Sequence, residues 1–300
     1  LRQTDGQRRS RRPPRMDGTR RRYGGIGYLN GFHVRGRLKT ANRLEKKMFE
    51  FYQEDIQEPG EYLHPFPQAE DIFVAEQPWL KEHFLPLVSI DLAVLNPDWA
   101  GQTVHMLNPF EPSEGYIGDG TEPYHNEFTA PNWLAFRLTD DNRYQFLGNE
   151  GFFMRSPANR NNPQNYYDEE YAADLRAHYQ TSKQNVEQYG CLLDAHYPEY
   201  QGSFNRKNFL DDIGGGFWYG NWTEGADIPS AFALNLQPAG TKLADLDDLP
   251  EDGIKITYNG NPFHYIANVA GYNYCGGGAD AIILMYEPVS RTILFTFDYS

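Results

Sequence analysis

The sequence predicts an α+β fold, built mostly on antiparallel sheet, with an N-terminal amphipathic helix and one long central helix. Three observations support this fold class. Short apolar runs bounded by turn residues recur along the chain, helical spacing appears in only two places, and strands do not alternate regularly with helices. With 300 residues, of which 40% are hydrophobic, the chain is long enough to bury a sizeable core.

The first predicted element is an amphipathic helix over residues 41–56. Leu44, Met48 and Phe51 recur there at helical spacing, with charged side chains between them. The following residues, 57–67, include three prolines and a glycine. These residue types interrupt regular structure, so an irregular loop is expected to follow the helix.

Apolar runs predict the strands on either side of the central helix. Before the helix, strands are expected at residues 85–95, 103–107, 133–138 and 144–154, and after it at residues 217–222, 231–236, 254–258, 263–269, 281–286 and 292–299. Pro288 and Ser290 suit a hairpin turn between the last two strands. Residues 108–131 and 156–164 are predicted surface loops, and a subdivision of the domain would fall near residues 156–165.

The central helix has a recognisable beginning and end. Asp168 is a favourable N-cap residue, and Gly190 suits the left-handed position just after a helix. Between them, Leu175, Tyr179 and Val186 contribute to one stripe of apolar and aromatic side chains. This stripe is typical of core packing.

Charge is distributed very unevenly along the chain. Residues 1–22 contain nine arginines and two aspartates, a balance of +7, so the remaining 278 residues carry −21 of the total of −14. The arm has few apolar residues and two adjacent prolines, and we expect it to be disordered. Residues 23–300 are expected to form a single α+β domain.

The chain has no run of about 18 uncharged apolar residues, so the sequence predicts no transmembrane helix. No apolar segment typical of an export signal follows the N-terminus, which favours a cytoplasmic location. Cys191 and Cys275 lack the pairing of a disulfide scaffold or a zinc site, and we interpret both as buried thiols.

No motif for catalysis, a metal or a cofactor emerges from the sequence. The glycine runs at 214–216 and 276–278 lack the lysine of a phosphate loop, and they are expected to supply positive φ angles at turns. The eight histidines are dispersed without metal-ligand spacing. We therefore predict no catalytic residue, no metal site and no cofactor.

Aromatic side chains make up 15% of the chain, and many stand beside amides or carboxylates. Such a surface could anchor a protein partner, while carboxylates speed and orient the encounter. The sequence thus favours a non-enzymatic binding protein, of which an immunity protein is one type, that docks on a basic protein partner. The candidate binding residues are Asp211, Asp212, Trp218, Tyr219, Trp222 and Glu224.

Two other functions remain open at this point. Aromatic rings beside carboxylates also grip sugars, so a hydrolase that cleaves a glycan or a similar polar substrate through a carboxylate pair is one alternative. The other alternative is a nucleic-acid-associated protein. It would bind phosphates through the arginine-rich residues 1–22 alone, since the acidic remainder repels a polyanion.

The last third of the chain resembles a known family. The run Ile-Gly-Gly-Gly-Phe-Trp at residues 213–218, the run Phe-His-Tyr-Ile-Ala-Asn-Val at 263–269 and the closing strand pair at 280–300 resemble the YwqG-like family of bacterial proteins. Asp280 would take the place of an aspartate in that family's closing strands. The resemblance implies a mostly antiparallel α+β domain of unsettled function, sometimes found near contact-dependent toxin systems, and it carries over no catalytic residue.

Overall fold

Eight antiparallel strands form the main sheet of the computed structural model, which describes residues 51–194, 202–223, 227–236 and 253–299. The predicted α+β class with mostly antiparallel sheet is confirmed. All of the described residues fall within one compact unit, Lys46–Ser300. The arginine-rich residues 1–22 lie outside the described residues, as does Glu224.

Sixteen strands are present in the described ranges. They are β1 (Tyr52–Ile56), β2 (Leu63–Pro65), β3 (Phe84–Asp91), β4 (Thr103–Pro109), β5 (Thr129–Ala130), β6 (Trp133–Leu138), β7 (Tyr144–Phe146), β8 (Leu192–Leu193), β9 (Arg206–Lys207), β10 (Leu210–Gly214), β11 (Phe232–Leu236), β12 (Ile254–Tyr258), β13 (Asn261–Pro262), β14 (His264–Val269), β15 (Ala281–Glu287) and β16 (Thr292–Asp298). Most of the strands expected from apolar runs are therefore found, with bounds that differ by a few residues. The strand expected at residues 144–154 is the exception, because it ends at Phe146 and a 3-10 helix follows at Glu150–Phe152.

Three α-helices occur among the same residues: α1 (Ala69–Ile72), α2 (Glu169–Tyr189) and α3 (Tyr272–Cys275). Short 3-10 helices lie at Pro78–Glu82, Leu92–Val94, Pro97–Trp99, Glu122–Tyr124, Glu150–Phe152, Pro157–Asn159, Gly202–Asn205 and Asn221–Thr223. No helix in this part of the chain has the length and apolar character needed to cross a membrane.

The main sheet has the strand order β1, β10, β14, β15, β16, β6, β5, and β7 also pairs with β6. A second sheet has the order β2, β3, β4, and a third has the order β11, β12, β13. Strands β8 and β9 form a separate pair. Because no strand pair of these sheets is parallel, successive strands are joined by hairpins and irregular crossings rather than by regular helical crossovers.

Both faces of the main sheet are covered, which explains the continuous apolar run of β15. Ile282 and Leu284 belong to the larger core, against the second sheet and α2. Ile283 and Met285 point to the opposite face and belong to the smaller core, against the third sheet. Successive side chains of a strand alternate between faces, so a strand buried on both sides must be apolar at every position.

The central helix α2 has the predicted ends. Asp168 Oδ1 accepts hydrogen bonds from the backbone N–H groups of Glu170 at 2.9 Å and Tyr171 at 3.1 Å, and Gly190 ends the helix with φ of 72°. Tyr179 is buried, and its hydroxyl donates to the carbonyl of Pro86 in β3 at 2.6 Å. The stripe therefore packs on the larger core, as its spacing predicts.

The predicted N-terminal helix is wrong at its C-terminal end, and its earlier part, residues 41–50, lies outside the described residues. Residues 52–56 form strand β1, which pairs with β10 with Tyr52 opposite Gly214. The apolar spacing matched a helix, but pairing with a distant strand decided the local structure. Local propensity is a weak determinant where tertiary pairing competes with it.

The predicted strand at residues 217–222 is also wrong. Strand β10 ends at Gly214, where φ is 79°, and Gly215 follows with φ of 76°. A Cβ atom at Gly214 would lie 2.1 Å from the carbonyl oxygen of Phe51, so only glycine allows β1 and β10 to approach this closely. After this turn, the chain continues as an irregular segment with one 3-10 turn at Asn221–Thr223.

Candidate functional site

The irregular residues 215–223, here called the crossing segment, lie over the smaller-core face of the main sheet. The Phe217 ring packs edge to face on Tyr265 of β14, with 5.9 Å between centroids. At the other end of the segment, Trp222 packs in the same way on Trp133 of β6, also at 5.9 Å. The segment therefore passes from β14 towards β6, and its side chains form part of the smaller core.

A hydrogen-bonded network joins Asp212 of β10 to Tyr265 and Asn268 of β14, beside the crossing segment. Asp212 Oδ1 accepts from the Tyr265 hydroxyl, and Oδ2 accepts from Asn268 Nδ2 at 2.8 Å. Asn268 Nδ2 also donates to the Tyr265 oxygen at 2.7 Å, and the Trp218 side chain is among the groups near Tyr265 that act on its pKa. The strand register places Asp212 directly opposite Asn268, which brings these polar side chains to one face.

The Asp212 carboxyl is electrostatically perturbed. Burial raises its pKa to about 6, and the adjacent Asp211 carboxylate adds to the rise. Hydrogen bonds from Tyr265 and Asn268 oppose it, because they stabilise the ionised form. Perturbed carboxyl groups of this kind are frequent in functional sites, although structural networks produce them too.

A second carboxylate pair lies beyond Trp218, at the end of β16. Asp298 Oδ2 accepts a hydrogen bond from the backbone N–H of Trp222 at 3.2 Å, and the Asp298 carbonyl accepts from the backbone N–H of Asp280 at 2.9 Å. Burial raises the pKa of Asp298, and the like charge of Asp280 raises it further. Tyr272 is 45% exposed, and burial raises the pKa of its hydroxyl, with the nearby Asp280 carboxylate adding to the rise.

Gly220 allows this pair and Trp218 to meet. A Cβ atom at Gly220 would lie 2.2 Å from Asp298 Oδ2 and 2.4 Å from Trp218 Cζ3, so both atoms occupy the space that any other residue would need. The half-buried indole of Trp218 therefore lies close to Asp298, and it is also among the groups near Tyr265. We call Trp218, Tyr272, Asp280 and Asp298 the docking surface.

Further tyrosines adjoin the docking surface, and the sequence analysis did not identify them. The half-buried Tyr299 ring lies 6.2 Å from Tyr116, and its pKa is raised by desolvation and by neighbours that include Tyr171 and Tyr166. Tyr166 donates its hydroxyl to the Tyr116 carbonyl at 3.3 Å. These residues are far apart in the sequence, so the abundance of tyrosine was the only available signal.

The predicted binding residues separate into different environments. Asp212 and Trp218 both lie near Tyr265. Tyr219 is half-buried and follows Trp218 in the crossing segment. Trp222 is only 1% exposed, so it is a core residue and cannot anchor a partner as predicted. Glu224 lies outside the described residues.

Asp211 also differs from its predicted role at a binding surface. Its carboxylate accepts from the backbone N–H of Ala270 at 2.7 Å, from Asn208 Nδ2 at 2.9 Å and from Asn273 Nδ2 at 3.2 Å. These bonds fasten the start of β10 to the turn before α3. Asp211 therefore stabilises the fold beneath the site.

A carboxylate pair with the spacing of a glycosidase is not formed by the two aspartates that flank Trp218. Asp212 lies on β10 and Asp298 on β16, three strands apart in the sheet. Neighbouring strands are about 4.8 Å apart, which gives a separation of about 14 Å across the sheet. Acid and base groups of glycosidases lie about 5 to 9.5 Å apart.

The remaining candidate groups for catalysis are buried. Cys191 and Cys275 are free and buried, as predicted, and burial raises the pKa of Cys275 far above its ordinary value. His105 contacts Ser89 Oγ through Nδ1 at 2.8 Å and the Asn142 carbonyl through Nε2 at 2.7 Å, but both side chains are only 5% exposed. This pair joins β3, β4 and the turn before β7.

Within the described ranges, no three His, Cys, Asp or Glu side chains converge in a way that could hold a metal ion. No protein-family model, curated protein or solved structure matches the chain. The resemblance to the YwqG-like family therefore stays a prediction.

Proposed function

We propose that the protein binds a basic protein partner, without catalysis, by placing arginine or lysine side chains of the partner on the docking surface. An immunity-type protein is one kind that works in this way. The observation that carries the proposal is a pair of like charges: the half-buried Asp280, which acts on the exposed Tyr272, and Asp298, which is only 8% exposed and lies beside the half-buried ring of Trp218.

A cation from a partner would relieve the repulsion at this position. The charged group that acts on Asp298 is the Asp280 carboxylate, which raises its pKa and so disfavours ionisation of both groups together. A guanidinium group can donate to carboxylates and stack on an aromatic face at the same time. The chain itself uses this stacking elsewhere, where the Arg176 guanidinium lies 4.0 Å from the ring centre of Phe110.

The arrangement of the half-buried rings also fits recognition. Interfaces are anchored by tryptophan and tyrosine in partly enclosed positions, surrounded by polar groups that exclude water when the partner binds. Trp218 packs edge to face on the buried Trp222, with 6.3 Å between the ring centroids, and its side chain is only half-buried. The acidic character of the chain, with pI near 5.0, would accelerate encounter with a basic partner.

The test uses an arginine-rich peptide as the probe, with binding measured by calorimetry. The double variant Asp280→Asn with Asp298→Asn removes two charges but keeps the oxygen that accepts from Trp222. We expect about tenfold weaker binding, because the ion pair with Asp280, worth up to about 1 kcal/mol, and the additional attraction of the buried Asp298 charge are both lost. A lysine-rich peptide of equal charge should bind more weakly than the arginine-rich one, because lysine cannot form the bidentate contact.

The matched control removes two exposed carboxylates elsewhere, by Asp71→Asn with Asp98→Asn. This variant has the same net charge as the first and should bind the peptide within about twofold of the unchanged protein. Equal weakening in both variants would mean that the peptide responds only to overall charge. That result would refute docking at this surface.

A further inference from the structure

We infer that strand β1 binds an extended segment of a protein partner, which adds to the main sheet beside β1 and carries lysine or arginine at alternate positions. The strand shares no residue with the docking surface. The inference therefore goes beyond the proposed function and does not rest on it.

Strand β1 lies at one edge of the main sheet. It pairs with β10 on one side, and no other strand of the described residues pairs with it. A strand at the edge of a sheet presents backbone N–H and C=O groups along its outer side. An extended peptide that adds a strand to a sheet binds to such groups.

The side chains of β1 are accessible to a partner. Residues Tyr52–Asp55 are all exposed, and only Ile56 at the end of the strand is buried. At the opposite end of the sheet, Tyr144 and Phe146 of β7 are buried, and the backbone N–H of Val74 donates to the Tyr144 carbonyl at 3.2 Å. The edge formed by β1 is therefore more accessible than the edge formed by β7.

A groove of about 580 Å³ lies beside β1, and its lining residues are Gln53–Glu58, Gly60, Tyr62 and Arg206. The Tyr62 hydroxyl donates to Gln53 Oε1 at 2.7 Å, and the Tyr62 ring packs edge to face on Phe51, with 5.7 Å between centroids. These contacts hold the loop after β1 against the strand. The volume falls within the range of about 300 to 1,000 Å³ that is usual for binding clefts.

The groove is acidic. Three carboxylates line it, against one guanidinium group: Glu54, Asp55, Glu58 and Arg206. Arg206 pairs with Glu58 at 3.1 Å. The donors to Glu54 and Asp55 are neutral instead, namely the Tyr52 hydroxyl and an asparagine amide at 3.0 Å. Since no cation of the described residues forms an ion pair with Glu54 or Asp55, both can pair with a cation of a partner.

The alternation of side chains along β1 explains why alternate positions of the added segment should be basic. Tyr52 and Glu54 are two positions apart, so they lie on the same face of the strand. Tyr52 is 51% exposed, so one cation of the added strand can stack on its ring while the next but one pairs with Glu54. The pattern ends at Asp55, which has a φ of 53° and no partner in the register with β10.

A second copy of this chain does not fit the same edge. Two β1 strands side by side would bring Glu54 and Asp55 of one copy close to those of the other, and like charges on adjacent strands are destabilising. The same charges repel the phosphates of a nucleic acid. Charge complementarity therefore favours a basic strand of a different protein.

The probe is a blocked hexapeptide of alternating threonine and lysine, titrated into the full chain by calorimetry. Threonine favours the extended conformation, and the lysines all lie on one face of the extended peptide. Hydrogen exchange of residues 52–56 is followed by mass spectrometry in the same samples. At saturation we expect exchange there to slow about fivefold, the equivalent of about one hydrogen bond.

A second peptide tests whether the backbone takes part. It has the same sequence and charge, but its two central residues are N-methylated, so neither of its edges can pair regularly. It should bind at least about tenfold more weakly than the first peptide. Equal affinity of the two peptides would overturn strand addition, because the attraction would then depend on charge alone.

Two variants test the charges of the groove. Glu54→Gln with Asp55→Asn keeps an acceptor oxygen at each position, and asparagine tolerates the positive φ of residue 55. Affinity for the first peptide should fall about fivefold, because two contacts between opposite charges are lost. The matched control, Asp71→Asn with Asp98→Asn, has the same net charge and should bind within about twofold of the unchanged protein.

Equal affinities of these two variants would overturn the choice of a basic partner, because the groove would then contribute nothing beyond net charge. If Glu54→Gln with Asp55→Asn does not fold, the comparison of the two peptides on the unchanged protein still decides, since it needs no substitution.

The docking-surface variant separates this inference from the proposed function. In Asp280→Asn with Asp298→Asn, the slower exchange of residues 52–56 should persist. If it is lost there but kept in Glu54→Gln with Asp55→Asn, the peptide acts through the docking surface, which overturns the inference. If it persists while the arginine-rich peptide binds this variant as tightly as the unchanged protein, the inference holds and the docking function is refuted.

Two further results would show that the edge has a different occupant. Exchange at residues 52–56 that is as slow as in the buried strand β15 before any peptide is added would mean that the edge is already covered. A dimer in light scattering that Glu54→Gln with Asp55→Asn abolishes would mean that a second copy covers it. Either result overturns the inference.

Discussion

The two faces of the main sheet are covered by different kinds of structure. The larger core is closed by a second sheet and by helix α2, whereas the smaller core is closed by the third sheet and by the irregular crossing segment. Regular elements satisfy their backbone groups internally, so the face they cover can be uniformly apolar. In the crossing segment, the backbone N–H of Trp222 instead donates to a side chain, that of Asp298.

Buried carboxylates show the same difference between the two faces. Beside the larger core, Glu111 accepts from the backbone N–H groups of Met154 at 2.7 Å and Arg155 at 3.0 Å, which hold it in one position. Below the crossing segment, Asp212 accepts from the side chains of Tyr265 and Asn268. Side chains can change rotamer, whereas backbone groups are fixed by the fold. The hydrogen bonds of Asp212 are therefore expected to rearrange more easily than those of Glu111.

The largest expected effect concerns the packing of the larger core. Phe136 is fully buried in the larger core and packs against four aromatic rings: Phe84, Tyr144, Phe146 and Phe295. Phe136→Ala should lower the free energy of unfolding by about 4 kcal/mol, measured by urea denaturation. Affinity for the arginine-rich peptide in the folded variant should stay unchanged, and a parallel loss of affinity would contradict the separation of the two faces.

An effect of intermediate size concerns the pH dependence of the free energy of unfolding, through two buried histidines beside the larger core. Burial lowers the pKa of His83 to about 3 and that of His105 to about 4. The unfolded chain takes up these protons near pH 6.5, but the folded chain does so only at the lower values. The contribution of these two histidines to the free energy of unfolding should therefore fall as the pH drops from about 6.5 towards 4, by roughly 2 kcal/mol for each group. Burial raises the pKa of Glu111 to about 7 and that of Asp212 to about 6, so these two carboxyls contribute with the opposite sign, and the histidine contribution is measured as the difference between a variant and the unchanged protein.

His83→Phe isolates one of these two groups. The His83 ring stacks on Phe153 at 4.3 Å, and neither ring nitrogen has a hydrogen-bond partner among the described residues, so phenylalanine can replace it. Stability at pH 7 should change by less than about 1 kcal/mol, and the loss on the acid side should become smaller. His64→Phe, at an exposed histidine, is the control, and equal pH profiles for the two variants would refute the assignment.

The smallest expected effect concerns the packing of the smaller core. Trp133 is fully buried, and its indole N–H has no hydrogen-bond partner in the part of the chain that is described. Trp133→Phe loses packing volume but also removes a buried donor, which offsets part of the cost. We expect a loss of about 1 kcal/mol in a thermal melt, and a loss as large as that of Phe136→Ala would show that both faces are packed alike.

Much of the fold could be predicted from the sequence because its signals are local. The ends of α2 depend on Asp168 and Gly190, which act within one turn of the helix. The hairpin of β15 and β16 likewise depends on two adjacent apolar runs and the turn between them. Strand β1 was mistaken for a helix because its pairing with β10 joins residues that are more than 150 positions apart.

The site was predicted only in part, for the same reason. Asp212 and Trp218 were identified because aromatic and acidic residues are concentrated in that stretch of sequence. Tyr265, Asn268, Asp280 and Asp298 were not selected, since nothing in their immediate neighbours distinguishes them from core or surface residues. Their contacts arise from the strand register and from the path of the crossing segment.

The sequence by itself determined the fold class, the central helix and the hairpin at the end, because alternation, helical spacing and caps act over a few residues. The tertiary structure alone decided that β10 stops at Gly214 and that the following residues cross the sheet. It thereby buried Trp222, left Trp218 at the surface and placed Asp298 beside it. Close approach of distant backbone segments sets these outcomes, and no local pattern encodes it.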